Sequence, residues 1–183
     1  MRRWLSVMSV AVSILALPAV ARAQAKAGDK ELQIFGFVFT TITPEQRFGT
    51  ITVPGDTSSR GTVFLNAGVF VSDNTEVGGG PNITISSSSP IFDTGISVFF
   101  RQYFGDQSAK IKPFAAVDYR LPSLNPSGNR SVTDSQFLEF GFGLRDYLSE
   151  KTAFDISALY GLNPRETSGP KQITVTFGLT FIF

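Results

Sequence analysis

The side chains that most often transfer protons or bind metal ions in enzymes are scarce in this chain. It contains no histidine, so catalytic systems that need an imidazole base, and metal sites built on histidine, are excluded. The glycine run at 78–80 resembles part of a phosphate-binding loop, but no Lys-Ser/Thr pair follows it. Glycine within a strand more often permits bending or close packing. The sequence therefore predicts no cofactor and no metal site.

Charged residues recur at regular positions in the second half of the chain. They fall on the small, polar face of segments in which polar and apolar residues alternate, and Glu76 shares that parity. These residues are Arg101, Asp118, Arg120, Glu139, Arg145 and Asp155. Charges in a dry interior must pair with one another or with trapped water. We predict an interior charge network, which either fills a closed interior or acts as a gate that opens a narrow path when salt-bridge partners are exchanged.

Two pairs within this set have specific interpretations. Asp118 and Glu139 could form the carboxylate pair of a glycosidase, but the interior that we expect has no sugar-sized cleft, so no enzyme is predicted. Arg145 and Asp155 lie five residues either side of Glu150. If a turn is centred there, they face each other on antiparallel strands, near a rim from which water is only partly excluded.

The alternation that positions these residues predicts an all-β protein. No segment after Ala25 sustains a helical apolar period, whereas clusters of Gly, Asn, Pro or Ser separate the alternating segments. We predict eight strands, at 31–42, 61–72, 76–86, 92–104, 111–121, 135–147, 153–162 and 172–183. Short and long connections alternate, the longest being 43–60 and 122–134. This rhythm is typical of an eight-stranded antiparallel up-and-down transmembrane β-barrel.

The last predicted strand separates its two faces most clearly. Thr174, Thr176 and Thr180 share one parity, and the opposite parity holds Ile173, Val175, Phe177, Leu179, Phe181 and Phe183. A soluble barrel of lipocalin type also alternates, but its outer face would be rich in Lys and Glu. Bulky apolar residues facing lipid and small residues facing inward fit this chain better.

The faces of the other strands are assigned in the same way. Phe64, Phe70, Phe99 and Phe114 take inward positions and favour a filled interior. The first strand is ambiguous, because Phe35, Phe37 and Phe39 compete for the lipid side with Leu32, Ile34 and Val38.

The N-terminal segment has the features of a secretory signal peptide. Arg2 and Arg3 precede an apolar stretch, and Ala21 and Ala23 stand where a signal peptidase reads small residues. We predict cleavage after Ala23, with cleavage after Ala25 as the alternative, so that residues 1–23 are the signal and 24–183 the barrel domain. The mature chain then has a small net charge, which predicts no binding to nucleic acid.

The C-terminal residues resemble the signal by which bacterial outer-membrane barrels are recognised for assembly, with Gly178, Phe181 and Phe183 at its positions. With the strand rhythm and the signal peptide, the chain is similar to small outer-membrane barrels of the OmpA/OmpX type, without a periplasmic domain. The resemblance implies a bacterial outer-membrane location with both termini periplasmic. It also implies contact with outer-membrane lipids and lipopolysaccharide, and with the barrel assembly machinery and periplasmic chaperones.

These features predict a non-enzymatic protein that contributes to envelope integrity or makes surface contacts through its extracellular loops, and they favour a monomer. The alternative is a narrow channel or a carrier for small or apolar solutes. Five of six basic residues predicted at the outer rim are arginine, which can bind the phosphates of lipopolysaccharide.

Overall fold

The computed structural model describes residues 25–43, 46–48, 51–53, 56–87, 92–124, 132, 136–164 and 172–183. Ala21, Ala23 and the rest of the predicted signal peptide lie outside this range, so the cleavage site stays a prediction. Within the described residues, no helix is long and apolar enough to cross a membrane.

Alternation of polar and apolar residues produces a barrel that is closed by antiparallel pairing throughout. Its strands are β1 (Lys30–Thr43), β4 (Asp56–Ser72), β5 (Thr75–Ser86), β6 (Phe92–Tyr103), β7 (Ile111–Leu121), β8 (Phe137–Ser149), β9 (Thr152–Leu162) and β10 (Gln172–Ile182). Each strand pairs with its neighbour along the chain, and β1 pairs with β10 to close the circle. The predicted number of barrel strands and the predicted fold are confirmed.

The connections alternate as predicted. Residues 73–74, 104–110 and 150–151 join strands at one rim, here called the turn rim, where both ends of the described chain also lie. The connections at the other rim, here called the loop rim, are mostly longer. The predicted 122–134 loop belongs to the loop rim, and much of it lies outside the described residues.

The segment 43–60, which we predicted to be a loop, contains strand structure instead. β1 pairs with β4 as far as Thr43 opposite Asp56, and β2 (Gln46–Phe48) pairs with β3 (Ile51–Val53) within the connection. In the described part of the chain β1 pairs with β10 only as far as Gly36, and β4 reaches β5 only from Arg60. Residues 40–43 and 56–59, which pair with each other, therefore form a two-stranded ribbon that continues past the barrel wall at the loop rim.

The outer wall is apolar and the inner wall is mixed. Exposed positions include Phe142 at 71% and Ile173 at 76% of their full accessible area. The ambiguity of the first strand is resolved, since Phe35 is buried whereas Leu32, Ile34 and Val38 face outward. The apolar face thus points outward, as in a membrane barrel, whereas in a lipocalin the apolar face points inward.

Inward aromatic rings need glycine on the neighbouring strand. A Cβ atom on Gly143 would overlap the Phe114 ring, and one on Gly78 would overlap the Phe99 ring. These glycines provide the close approach that lets large side chains fill a barrel of eight strands.

Candidate functional site

Arg145 on β8 and Asp155 on β9 lie directly opposite each other. The guanidinium donates from Nε to Oδ1 at 2.8 Å and from Nη2 to Oδ2 at 2.8 Å, a bidentate geometry that strengthens both bonds. The predicted pair is confirmed. Its predicted partial hydration is wrong, because the Arg145 side chain is 0% exposed and that of Asp155 is 1% exposed.

Arg145 has a second carboxylate partner on the far side of the interior. Its Nη1 donates to Oε2 of Glu31 at 2.9 Å and its Nη2 to Oε1 at 3.0 Å. Glu31 is buried, and the sequence did not predict it as a member of the interior network because the faces of the first strand were ambiguous. The register of β1 explains its burial: once Phe35 points inward, Glu31 and Gln33 must do so too.

Glu76 joins the same cluster from β5. Arg145 approaches its Oε2 at 3.6 Å and Arg101 at 3.8 Å, and the Tyr103 hydroxyl donates to it at 2.7 Å. The Gln33 amide donates to both Glu31 and Glu76, so that each carboxylate has several donors.

Arg101 is held by aromatic rings as much as by carboxylates. Its guanidinium carbon lies 4.6 Å from the Phe99 ring centre, 4.9 Å from that of Phe35 and 5.2 Å from that of Phe114. Asp155 lies 3.8 Å away. A desolvated cation surrounded by ring faces gains cation–π attraction, which explains why the predicted inward aromatics and the predicted inward arginine occur together.

A second cluster lies nearer the loop rim. Arg120 Nη2 donates to Glu139 Oε1 at 3.0 Å, and the Thr174 hydroxyl donates to the same oxygen at 3.1 Å. Asp118 lies opposite Glu139 across the β7–β8 pair. All six charged residues predicted to face inward therefore do so, and they form two groups, with Arg120, Glu139 and Asp118 apart from Arg145, Asp155 and Arg101.

Residual space between the two clusters is small. A cavity of about 20 Å³ borders Arg101, Asp118, Arg120 and Glu139, which is room for about one water molecule. Asp118 and Glu139 border this cavity, but it is too small to admit a sugar. The two carboxylates therefore do not have the arrangement that a glycosidase requires.

The turn rim is closed by apolar packing. Ala25 is 2% exposed and packs in one cluster with Phe70, Tyr103 and Phe114. Gly28 N–H donates to the Phe70 carbonyl at 2.8 Å, and Phe70 N–H donates to the Asp29 carbonyl at 2.9 Å. The chain preceding β1 thus folds across the barrel mouth and covers the aromatic layer.

An exposed carboxylate fastens this N-terminal turn. Asp73 accepts the Ala27 N–H at 3.0 Å through Oδ1 and the Gln107 side-chain amide at 3.0 Å through Oδ2. The Ala27 hydrogen bond, followed by that of Gln107, lowers the pKa of Asp73 below its ordinary value. Sequence reasoning missed this contact, because nothing in the local pattern shows that 27 and 73 meet.

Among the described residues, no cluster of His, Cys, Asp or Glu has the arrangement of a metal site. No protein-family model matches the chain, and no curated protein matches it.

Solved structures do match at the level of the fold. A structure from the de novo design of transmembrane β-barrels shares 14% identity with a TM-score of 0.52, covering 88% of this chain and 100% of that one. The N-terminal β-barrel domain of OprF from Pseudomonas aeruginosa shares 15% identity with a TM-score of 0.52, over 86% of this chain and 98% of that one. The outer membrane protein OprG from the same organism shares 15% identity with a TM-score of 0.44, over 89% and 99%. The first two likenesses confirm the fold of a small transmembrane barrel.

Proposed function

We propose that the chain is a non-enzymatic integral protein of the bacterial outer membrane, with both termini periplasmic and the loop rim outside the cell. It contributes to envelope integrity or makes surface contacts through that rim. The apolar outer wall supports this proposal, because each outward ring or aliphatic chain removes apolar area from water when it meets lipid.

The observation that carries the proposal is the filled interior. Arg145 bonds to carboxylates on two different strands, Arg101 is enclosed by rings, and the remaining space between the clusters is about 20 Å³. A charge network with this many partners favours a structural plug over a gate, because opening it would leave several buried charges unpaired.

The ribbon at the loop rim is the element best suited to surface contact. It carries the β1–β4 pairing from Thr40 opposite Ser59 out to Thr43 opposite Asp56. A paired ribbon presents the unpaired backbone groups of a strand edge, and a strand of a partner can add to such an edge.

Biogenesis partners follow from the last strand. We propose that Gly178, Phe181 and Phe183 are read by the barrel assembly machinery after delivery by periplasmic chaperones. Lipids then cover the wall, and lipopolysaccharide surrounds the outer rim. The buried ion pairs of Arg145 and Arg120 form within one chain, which favours a monomer.

Two measurements test the proposal. Membrane fractionation should recover the protein with the outer membrane, and purified protein in planar bilayers should give no stable ion current, because the interior is filled. Reproducible open-channel currents would instead establish the narrow channel, and recovery with the inner membrane would overturn the location.

The two roles are separated by one variant in the native host. A strain lacking the protein is complemented with the wild type or with a chain in which 40–59 is replaced by a short Asn-Gly turn, which joins the paired residues Phe39 and Arg60. If the barrel supports envelope integrity, both chains restore resistance to detergent. If the ribbon mediates contact, only the wild type restores adhesion to a surface or a neighbouring cell.

A further inference from the structure

A cavity of about 80 Å³ lies inside the barrel at the loop rim, on the far side of Arg120 from the filled centre. Its lining includes Arg60, Thr62, Asn82, Thr84, Arg120 and Phe137. These residues come from strands on different sides of the barrel, so the cavity lies across the mouth and not in the wall. Its volume admits several water molecules or a small organic or inorganic ion.

Asn82 is the residue that marks this cavity as a binding site. Its side chain is 0% exposed, and neither Nδ2 nor Oδ1 has a hydrogen-bond partner among the residues that the structure describes. Arg120 Nε is likewise buried without such a partner in the described chain. Burying polar atoms in this way is costly unless something bonds to them. Two of these three atoms, Asn82 Nδ2 and Arg120 Nε, are hydrogen-bond donors, which points to a ligand that has several hydrogen-bond acceptors.

The charges around the cavity favour an anion. Two guanidinium groups, Arg60 and Arg120, line it, and no carboxylate of the described residues does, so the lining itself favours an anion. Glu139 binds Arg120 through Nη2, which leaves the Nε side of that guanidinium directed elsewhere. Asp118, which belongs to the same cluster as Arg120, borders the smaller cavity and not this one, and Asp93 accepts the Thr94 N–H at 2.8 Å.

Hydroxyl groups complete the set of donors. The Thr62 and Thr84 hydroxyl oxygens lie 2.9 Å apart, so one of their two protons bonds within the pair and the other is available to an occupant. Phe37 and Phe137 form apolar walls and lie against the Arg120 guanidinium, whose carbon is 5.7 and 5.6 Å from their ring centres. Apolar walls strengthen charge-assisted hydrogen bonds by excluding water.

We propose that this cavity binds a small oxyanion, with Arg60, Arg120, Asn82 and a threonine hydroxyl as donors. A phosphate group is the best match to two guanidinium groups and an amide. Because the interior beyond Arg120 is filled, the cavity opens only towards the loop rim. The anion is therefore bound there and is not transported through the barrel. The phosphate can be free in solution or belong to a lipopolysaccharide headgroup that reaches over the rim.

The test uses purified, folded protein in dodecyl maltoside, a detergent without phosphate. Isothermal titration with inorganic phosphate, against chloride at equal ionic strength, should show saturable binding at one site per chain. Asn82→Asp keeps the shape of the side chain but replaces its donor by a negative charge, and should abolish binding. Arg60→Gln should weaken binding by about tenfold, as expected for the loss of one charged hydrogen bond. Lys151→Gln removes a cation at the opposite rim and should change nothing.

Heat-modifiable mobility on gels verifies that each variant is folded. Because Arg60 is exposed, we expect Arg60→Gln to fold, so it keeps the test decisive if Asn82→Asp does not fold. Binding of inorganic phosphate identifies the free anion as sufficient. Binding only of lipopolysaccharide, again lost in Arg60→Gln, assigns the headgroup as the source. Equal binding by the wild type and Arg60→Gln, or no binding of either probe, overturns the proposal.

Discussion

Arg145 on β8 donates two hydrogen bonds to Glu31 on β1, a residue 114 positions away in the chain. β9 and β10 lie between these two strands in the barrel wall, so the contact crosses the interior. The pair can form only when the first and last strands have come together. The same guanidinium holds Asp155, so closure of the barrel completes the network around one buried cation.

Replacing Asp155 by Asn should therefore destabilise the folded barrel strongly. Removing one partner of a fully buried ion pair costs about 3–5 kcal/mol, because the other charge is left uncompensated. The free energy of unfolding is measured by urea titration of the protein in lipid vesicles. Glu31→Gln should act in the same direction.

The pair between Lys110 and Asp146 provides the control. It lies at the turn rim with a nitrogen–oxygen distance of 3.6 Å, and the Lys110 side chain is 20% exposed. Lys110→Gln should cost less than Asp155→Asn, because Lys110 is partly solvated and its ion pair is long, although Asp146 is only 6% exposed. Similar losses for Asp155→Asn and Lys110→Gln would show that burial does not set the strength of the Arg145 network.

The strand pattern and the inward charges were predictable because a period of two is strict. Once Phe140 and Phe142 are assigned to lipid, Glu139 and Arg145 must face inward. β1 lacks such contrast, since both of its faces carry large apolar residues. Phe35 and Phe37 turn inward because Arg101 and Arg120 stack against them, and such long-range partners leave no local signal.

The remaining differences have the same cause. Asn82 carries no sequence signal of its own, because its role depends on the arginines that distant strands bring to the same cavity. The ribbon was missed because threonine and serine are frequent along it, and such polar runs are typical of loops as well as of solvated strands. Pairing across the ribbon, which is a property of two segments together, decides between them.

Changing Phe181 and Phe183 together to Asp should block assembly into the membrane. Phe183 is 72% exposed on the outer wall, next to the start of β1, and its N–H donates to the Lys30 carbonyl at 2.8 Å. The charged variant loses both the aromatic end and the apolar contact with lipid. Immunoblots of membrane fractions should show degraded or chaperone-bound chain. Thr176→Asn, an inward change on the same strand, is the control and tests whether any change in β10 has this effect. Normal amounts of folded protein for the variant with Asp at both 181 and 183 would contradict an assembly signal.

The mature protein should begin at Gln24. The residues before it match a signal-peptidase site, and Ala25 packs against the aromatic layer at the turn rim. Cleavage after Ala25 would remove that contact, so we expect it to be disfavoured. Mass spectrometry of protein from the outer membrane measures the N-terminus directly. An intact Met1 on folded protein would contradict a cleaved signal, and Lys26 as first residue would select the alternative site.

The N-terminal turn should loosen in acid. The pKa of Asp73 is lower in the folded protein than in the unfolded chain. The ionised carboxylate therefore stabilises the turn fully at pH values above the unfolded-state pKa. This stabilisation is lost as the pH falls through the lower, folded-state pKa. The amide proton of Ala27, which donates to Asp73, reports the change in NMR spectra recorded between about pH 6 and pH 2. Its chemical shift should move below about pH 4, and Asp73→Asn should remove the transition. Asp106, whose pKa is lowered first by the Ser108 N–H, lies in another turn, so Asp106→Asn should leave the Ala27 titration in place. A shift that stays constant to the lowest pH would show that Asp73 does not hold the turn.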